Sequence, residues 1–374
     1  MRLNVPLTDA TERDAVAAVL ESGFLTQGPK AAELESLVRE YVGVRSAYAT
    51  SSATTGLHLA LHAVGVKPGD EVVIPDFSFP ATANAVVQMG AVPVFVDIDI
   101  DTFNLDPALL EQAITPRTAA IMPVHAFGLA ADMDPIVAIA DAAGLPVIED
   151  AACALSGLYK GRQAGSLGTA GVFSFHPRKI ITTGEGGMIT TDDAELGARI
   201  QVLRTHGAVR GELYMEFIDA GFNYRLSDVH AAIGVAQMAK LEHIVERRQL
   251  LAEHLTQRIA AVDGVTAPTV PAHSRHAFQS YVVLLDDDID RDGVIRAMKE
   301  RDVETTLGTY SMHLQPYFRD RFGIRDSDLP QSTRAHHQAL TLPLYPQLTD
   351  ADLDLVVDAL TASIASVGRK AGRN

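Results

Sequence analysis

Apolar residues recur along this chain in two rhythms, one helical and one of short continuous runs. Ala15, Val16, Val19 and Leu20 share a face and predict a helix over 8–22. The stretch Phe24-Leu-Thr-Gln-Gly-Pro29 breaks it, and helical spacing resumes over 30–41. Short apolar runs bounded by turn residues predict strands over 71–75, 92–96, 119–124, 146–148 and 170–175. Helical spacing lies between them, notably over 107–114 and 133–143. From residue 220 a long helical stretch runs through Val229, Ile233, Met238, Leu241, Ile244, Leu251 and Leu255. Past about residue 260 the pattern changes to strand (279–285), helix (292–300) and strand (303–307). Such alternation predicts an α/β protein. A large domain (1–245) carries a mostly parallel mixed sheet flanked by helices, and a smaller α+β domain (246–374) follows it. At 374 residues, two cores of unequal size are the natural expectation.

Two stretches carry candidate chemistry. In Gly171-Val-Phe-Ser-Phe-His-Pro-Arg-Lys179 an apolar strand is stopped by Pro177, and Lys179 follows on a turn leading into Thr183-Gly-Glu-Gly-Gly187. A lysine confined on a rigid turn can lose its proton and act as an amine nucleophile, although most loop lysines are simply solvated. Upstream, Leu145-Pro-Val-Ile-Glu-Asp150 reads as a buried strand ending in carboxylates. That is where open α/β sheets place their ligands; the plainer reading is that Asp150 caps a helix. Lysine and strand-end aspartate together suggest pyridoxal 5'-phosphate, the lysine forming the Schiff base and the acid keeping the pyridine nitrogen protonated. Tyr48-Ala-Thr-Ser-Ser-Ala-Thr-Thr-Gly56, opening a helix with small hydroxyl residues, fits a phosphate.

These motifs, Glu149-Asp150-Ala-Ala, Phe173-Ser-Phe-His-Pro-Arg-Lys179 and Thr183-Gly-Glu-Gly-Gly187, resemble the DegT/DnrJ/StrS sugar aminotransferases over nearly the whole chain. The resemblance implies the fold-type-I architecture of pyridoxal-phosphate aminotransferases. It implies Lys179 and Asp150 as catalytic residues, Thr54 and Ser174 as phosphate contacts and Phe79 as the ring stacked on the cofactor. It places His313, Tyr310 and Glu185 at the substrate, and it implies that Asn223 reaches the cofactor phosphate of the neighbouring subunit in a homodimer. Two positions depart from the family pattern. Ala53 stands where glycine is usual, and Cys153 stands where a histidine or glutamine bonds the cofactor's phenolic oxygen; a thiol is the weaker donor. The implied reaction moves an amino group from glutamate or glutamine to a ketosugar, nucleotide-linked in this family. A cyclitol or other non-sugar ketone, or a regulatory relative without turnover, stays open at this point. Relatives acting as dehydratases replace the lysine with histidine, and Lys179 speaks against that variant.

Composition narrows little further. Hydrophobic residues at 47% and charged residues at 21% suit a soluble globular enzyme. A formal charge of -16 argues against a nucleic-acid groove or an anionic membrane surface as partner. Cys153 is the only cysteine, so no intrachain disulfide forms. Without a signal-peptide pattern or an apolar run near the ~20 residues that cross a bilayer, cytoplasm is the expected location. His336-His337 lacks spaced acidic or cysteine partners, and no metal site is expected there.

Overall fold

The computed structural model describes residues 1–369, so the last residues of the 246–374 segment lie outside it. One continuous sheet forms the centre of the larger part. Strands Ser46–Thr50, Gly187–Thr191, Ala170–Ser174 and Ile148–Asp150 are neighbours in that order, and Val92–Val96, Glu71–Pro75 and Thr118–Ile121 form a parallel set. Parallel bridges from Ile121 to Val147 and from Val124 to Asp150 join the two sets edge to edge. Gly187–Thr191 runs antiparallel to both of its neighbours, and the remaining strands run one way. Their carboxyl ends therefore open on a common edge, where Asp150 and Ser174 sit. Apolar side chains fill both faces, as expected of strands that read as continuous apolar runs.

The long helical stretch of the sequence is two helices, Asp228–Met238 and Leu241–Ile259. The chain bends at Lys240, whose ammonium lies 2.7 Å from Glu12 and 2.9 Å from Asp9 in the first helical segment. The second helix crosses from one core to another. Leu241, Ile244 and Val245 pack with the main sheet, whereas Leu251, Leu255 and Ile259 pack with Tyr281, Val283, Leu340 and Leu360. That second core covers an antiparallel sheet of Val265–Thr266, Tyr281–Leu285, Ala339–Leu342 and Thr306–Leu307. Among the described residues no helix is long and apolar enough to cross a membrane.

Arg248, on the crossing helix, is 1% exposed. Its guanidinium donates to the carbonyls of Phe278, Gln279 and Leu344 and to Asn4 Oδ1. Burial pushes its pKa down to about 10, which leaves it charged at neutral pH. Arg248→Met would strand three carbonyls and an amide oxygen. We expect a loss of about 3 kcal/mol in denaturant unfolding, since each stranded buried acceptor costs about 1–3 kcal/mol before relaxation.

Candidate active site

A cavity of about 520 Å³ opens at the carboxyl edge of the sheet, within the size range of small-molecule sites. Ala53, Thr54, Phe79, Asp150, Cys153, Ser174, Lys179 and Glu185 are among the residues that line it.

Lys179 owes its place to a tied turn. Its backbone N–H donates to the His176 carbonyl, and beyond it Thr183 N–H and the Thr182 hydroxyl both donate to the Phe175 carbonyl. Gly184, at φ 83°, reverses the chain in a conformation that suits glycine. The lysine Nζ lies 3.0 Å from Cys153 Sγ, so the thiol accepts from the amine in this arrangement. His176, also on the cavity wall, is held below its ordinary pKa by burial.

The Asp150 carboxyl is 5% exposed. Its Oδ2 accepts from the Thr82 hydroxyl at 2.7 Å and its Oδ1 from the Ala152 N–H at 3.2 Å. Burial pushes its pKa up, and the Thr82 bond is the largest force in the other direction, ahead of the Lys179 charge. Such a carboxylate is completed by a cation. Neighbouring Glu149 is spent on scaffolding: it accepts from the N–H groups of Gly165, Leu167 and Gly168 and pairs with His125 Nε2.

The helix Ala53–Val64 points its N-terminus at the cavity. Ser52 caps it, accepting from the Thr55 N–H, while the Thr55 hydroxyl accepts from the Ser52 N–H. Ala53 opens the helix with negative φ, so alanine is accommodated where the family has glycine. Glycine is needed instead across the way. A Cβ on Gly187 would lie 2.6 Å from the Ser52 carbonyl carbon and 2.7 Å from Ala53 N, and would push the helix end off its seat. Thr54 and Ser174 line the same cavity, where Ser174 Oγ accepts from the His176 N–H at 3.4 Å.

Phe79, 66% exposed, precedes the helix Pro80–Gln88 and offers a ring face on the cavity wall. Glu185 is exposed at the rim.

Two residues expected at the substrate lie elsewhere. His313, expected at the substrate, is 1% exposed and buried against Asp76. Its Nδ1 lies 2.7 Å from Asp76 Oδ2 and its N–H donates to Asp76 Oδ1. Burial lowers the imidazole's proton affinity, but the Asp76 carboxylate outweighs it and raises the pKa. His313 is thus corrected to a scaffold residue. Tyr310 is corrected likewise: it pairs with Ser78 in a two-residue strand and packs on the apolar cluster of Phe95 and Phe318, while Gly308 and Thr309 border the cavity. Asn223 is exposed, accepts from Arg225 Nη2 at 2.8 Å, and does not line this chain's cavity. Thr82 was invisible in sequence, because its role depends on a carboxylate 68 residues away.

An amine, a buried carboxylate in no ion pair among the described residues, and a helix end beside the Thr54 and Ser174 side chains fit pyridoxal phosphate in its aldehyde, ring nitrogen and phosphate. Sheet and site define a pyridoxal-phosphate-dependent aminotransferase fold. The chain belongs to the DegT/DnrJ/EryC1/StrS aminotransferase family, whose model matches residues 6–361. It is similar to GDP-perosamine synthase of Caulobacter vibrioides, 42% identical over 359 residues, 95% of this chain and 96% of that one. Spore coat polysaccharide biosynthesis protein SpsC of Bacillus subtilis is 40% identical over 370 residues, 96% and 95% of the two chains. The PLP form of Spr1654 from Streptococcus pneumoniae superposes with a TM-score of 0.94 at 26% identity, covering 98% of this chain and 99% of that one.

Proposed function

We propose that this aminotransferase moves an amino group from glutamate or glutamine to a ketosugar carried on a nucleotide. The observation that carries this reading is the convergence of Lys179 and Asp150 on one cavity inside a sugar-aminotransferase architecture. When bound, pyridoxal phosphate supplies a ring that takes up the electrons released as a bond at the substrate carbon breaks. Lys179 Nζ tethers the aldehyde and, once freed, carries the proton taken from the amino donor. Asp150 holds a proton on the ring nitrogen. Thr54, Ser174 and the helix end at Ala53 hold the phosphate, and Phe79 covers one ring face. Cys153 sits beside the amine in place of the usual donor to the phenolic oxygen. Glu185, exposed at the rim, is placed to meet the substrate.

The nucleotide-linked ketosugar rests on likeness to GDP-perosamine synthase. The test is to incubate the purified enzyme with glutamate and a panel of nucleoside-diphosphate 4-ketohexoses and to follow the products by mass spectrometry. An aminated nucleotide sugar supports the reading; amination of free cyclitols alone sinks it.

The working unit in this proposal is a homodimer in which Asn223 completes the partner's phosphate site. Leu213, Tyr214, Phe217 and Ile218 expose apolar surface on one hairpin, as does Phe24 near the N-terminus, and such surface marks an interface. Mixed dimers of Lys179→Ala and Asn223→Ala subunits would carry one doubly damaged site and one intact site. Random reassociation should restore roughly a quarter of wild-type activity. If the mixture stays as inactive as its parents, the sites are not shared.

A further inference from the structure

We infer that Thr82, supported by Ser78, is a positioning residue that sets how strongly Asp150 acts as an anion toward the cofactor's ring nitrogen. The inference deepens the proposed function and rests on its placement of Asp150.

Thr82 is fully buried, and Ser78 is 2% exposed. Thr82 Oγ1 lies 2.7 Å from Asp150 Oδ2 and 2.7 Å from Ser78 Oγ. An ionised carboxylate only accepts, so the Thr82 proton is committed to Asp150. Ser78 must then donate to Thr82, and the two hydroxyls form a chain with its donors aimed at the acid. Chained hydroxyls polarise one another, and in a buried setting the bond to a charged acceptor is the strong kind.

Among the described residues Thr82 is the largest of the groups that favour the ionised acid, ahead of the Ala152 N–H and the charges of Lys179 and His125. The other carboxylate oxygen has one longer bond, to the Ala152 N–H at 3.2 Å. Burial pushes Asp150 toward its neutral form, and a neutral acid cannot hold a proton on the ring nitrogen. The chain is also firmly seated. Thr82 stands in the first turn of the helix that follows Phe79, so one element supplies both the ring face and the support for the acid. Ser78 is pinned by its pairing with Tyr310, and the strand begins beside Asp76, which is locked to His313. Two of the three residues expected at the substrate thus anchor the base of this pair of hydroxyls.

The test measures the preference of the apo-protein for pyridoxal phosphate over its carbon analogue, in which CH replaces the ring nitrogen. A dissociation constant is taken for each ligand, and their ratio is read. Wild-type protein should favour the nitrogen compound. Thr82→Val keeps the shape and removes the hydroxyl, and it should shrink that preference about ten-fold, the difference between charged and neutral hydrogen bonding. Thr82→Ser should keep it. Ser78→Ala removes only the outer hydroxyl and should move the ratio the same way, by roughly two- to three-fold. That variant decides the matter if Thr82→Val does not fold. A merely structural Thr82 would weaken both ligands equally. An unchanged ratio in the valine or alanine variant, or a serine variant that behaves like valine, overturns the inference. Equal affinity of the wild-type protein for both ligands would instead overturn the role given to Asp150.

Discussion

Lys179→Ala should lower amino transfer by roughly 10⁴-fold, because one side chain both tethers the cofactor and moves the proton; proton transfer alone accounts for about 10²–10⁴. Steady-state turnover with glutamate as donor measures the loss. The lysine belongs to no ion pair among the described residues, and its Nζ approaches Cys153. Its removal should therefore leave the unfolding midpoint near that of the wild type. A second readout separates the tether from the proton carrier. Small primary amines added to the variant should restore part of the proton transfer but no covalent attachment. Turnover within a few-fold of wild type would mean that another group does the chemistry.

Asp150→Asn is expected to cost about 10²–10³ in kcat/KM, the scale for removing one group that stabilises charge developing in a transition state. The amide keeps the shape, and its oxygen can still accept from Thr82. What it loses is the negative charge facing the ring nitrogen. Stability should move the other way. The folded-state pKa of Asp150 is raised by burial. A raised carboxyl pKa means that the ionised acid opposes folding at every pH above its unfolded value, near 3.9. The asparagine apo-protein should thus be at least as stable as the wild type at pH 7, and the difference should vanish as pH falls below about 4. Thermal unfolding of both apo-proteins across pH checks the sign. A less stable variant at pH 7 would mean that the carboxylate is better satisfied than its two hydrogen bonds indicate.

Activity and stability thus part company at Asp150, whereas Arg248 is a buried cation that holds backbone beside the site. Asn4, Gln279 and Leu344, which Arg248 holds, also border the cavity. Natural enzymes commonly retain destabilising groups where the chemistry needs them.

What could be read from the sequence divides along a physical line. Lys179, Asp150, Ser174 and Thr54 lie in contiguous motifs whose local structure places them, a strand end, a stopped strand or a helix start. The structure brings all four to one cavity. The alternation of apolar runs and helical spacing likewise follows from local periodicity, and the sheet has it. Misreadings arose where a residue's role is set by a distant partner. Periodicity through Met238 and Leu241 suggested one helix, but Lys240 answers to Glu12, 228 residues earlier. The resemblance puts His313 at the substrate, and the sequence offers no correction because Asp76, 237 residues away, leaves no mark near it. Thr82 is hidden in the sequence for the same reason. Ala53 was a departure whose consequence could be judged only with the backbone in hand: the helix start there has negative φ and asks for no glycine.

The central claim is that Lys179 Nζ is the amine that carries the cofactor. Reducing the wild-type holoenzyme with borohydride and sequencing its peptides by mass spectrometry tests it directly. The account predicts a phosphopyridoxyl group on Lys179, in the peptide that follows Pro177. Attachment to any other lysine, or no attachment in protein saturated with pyridoxal phosphate, would contradict it.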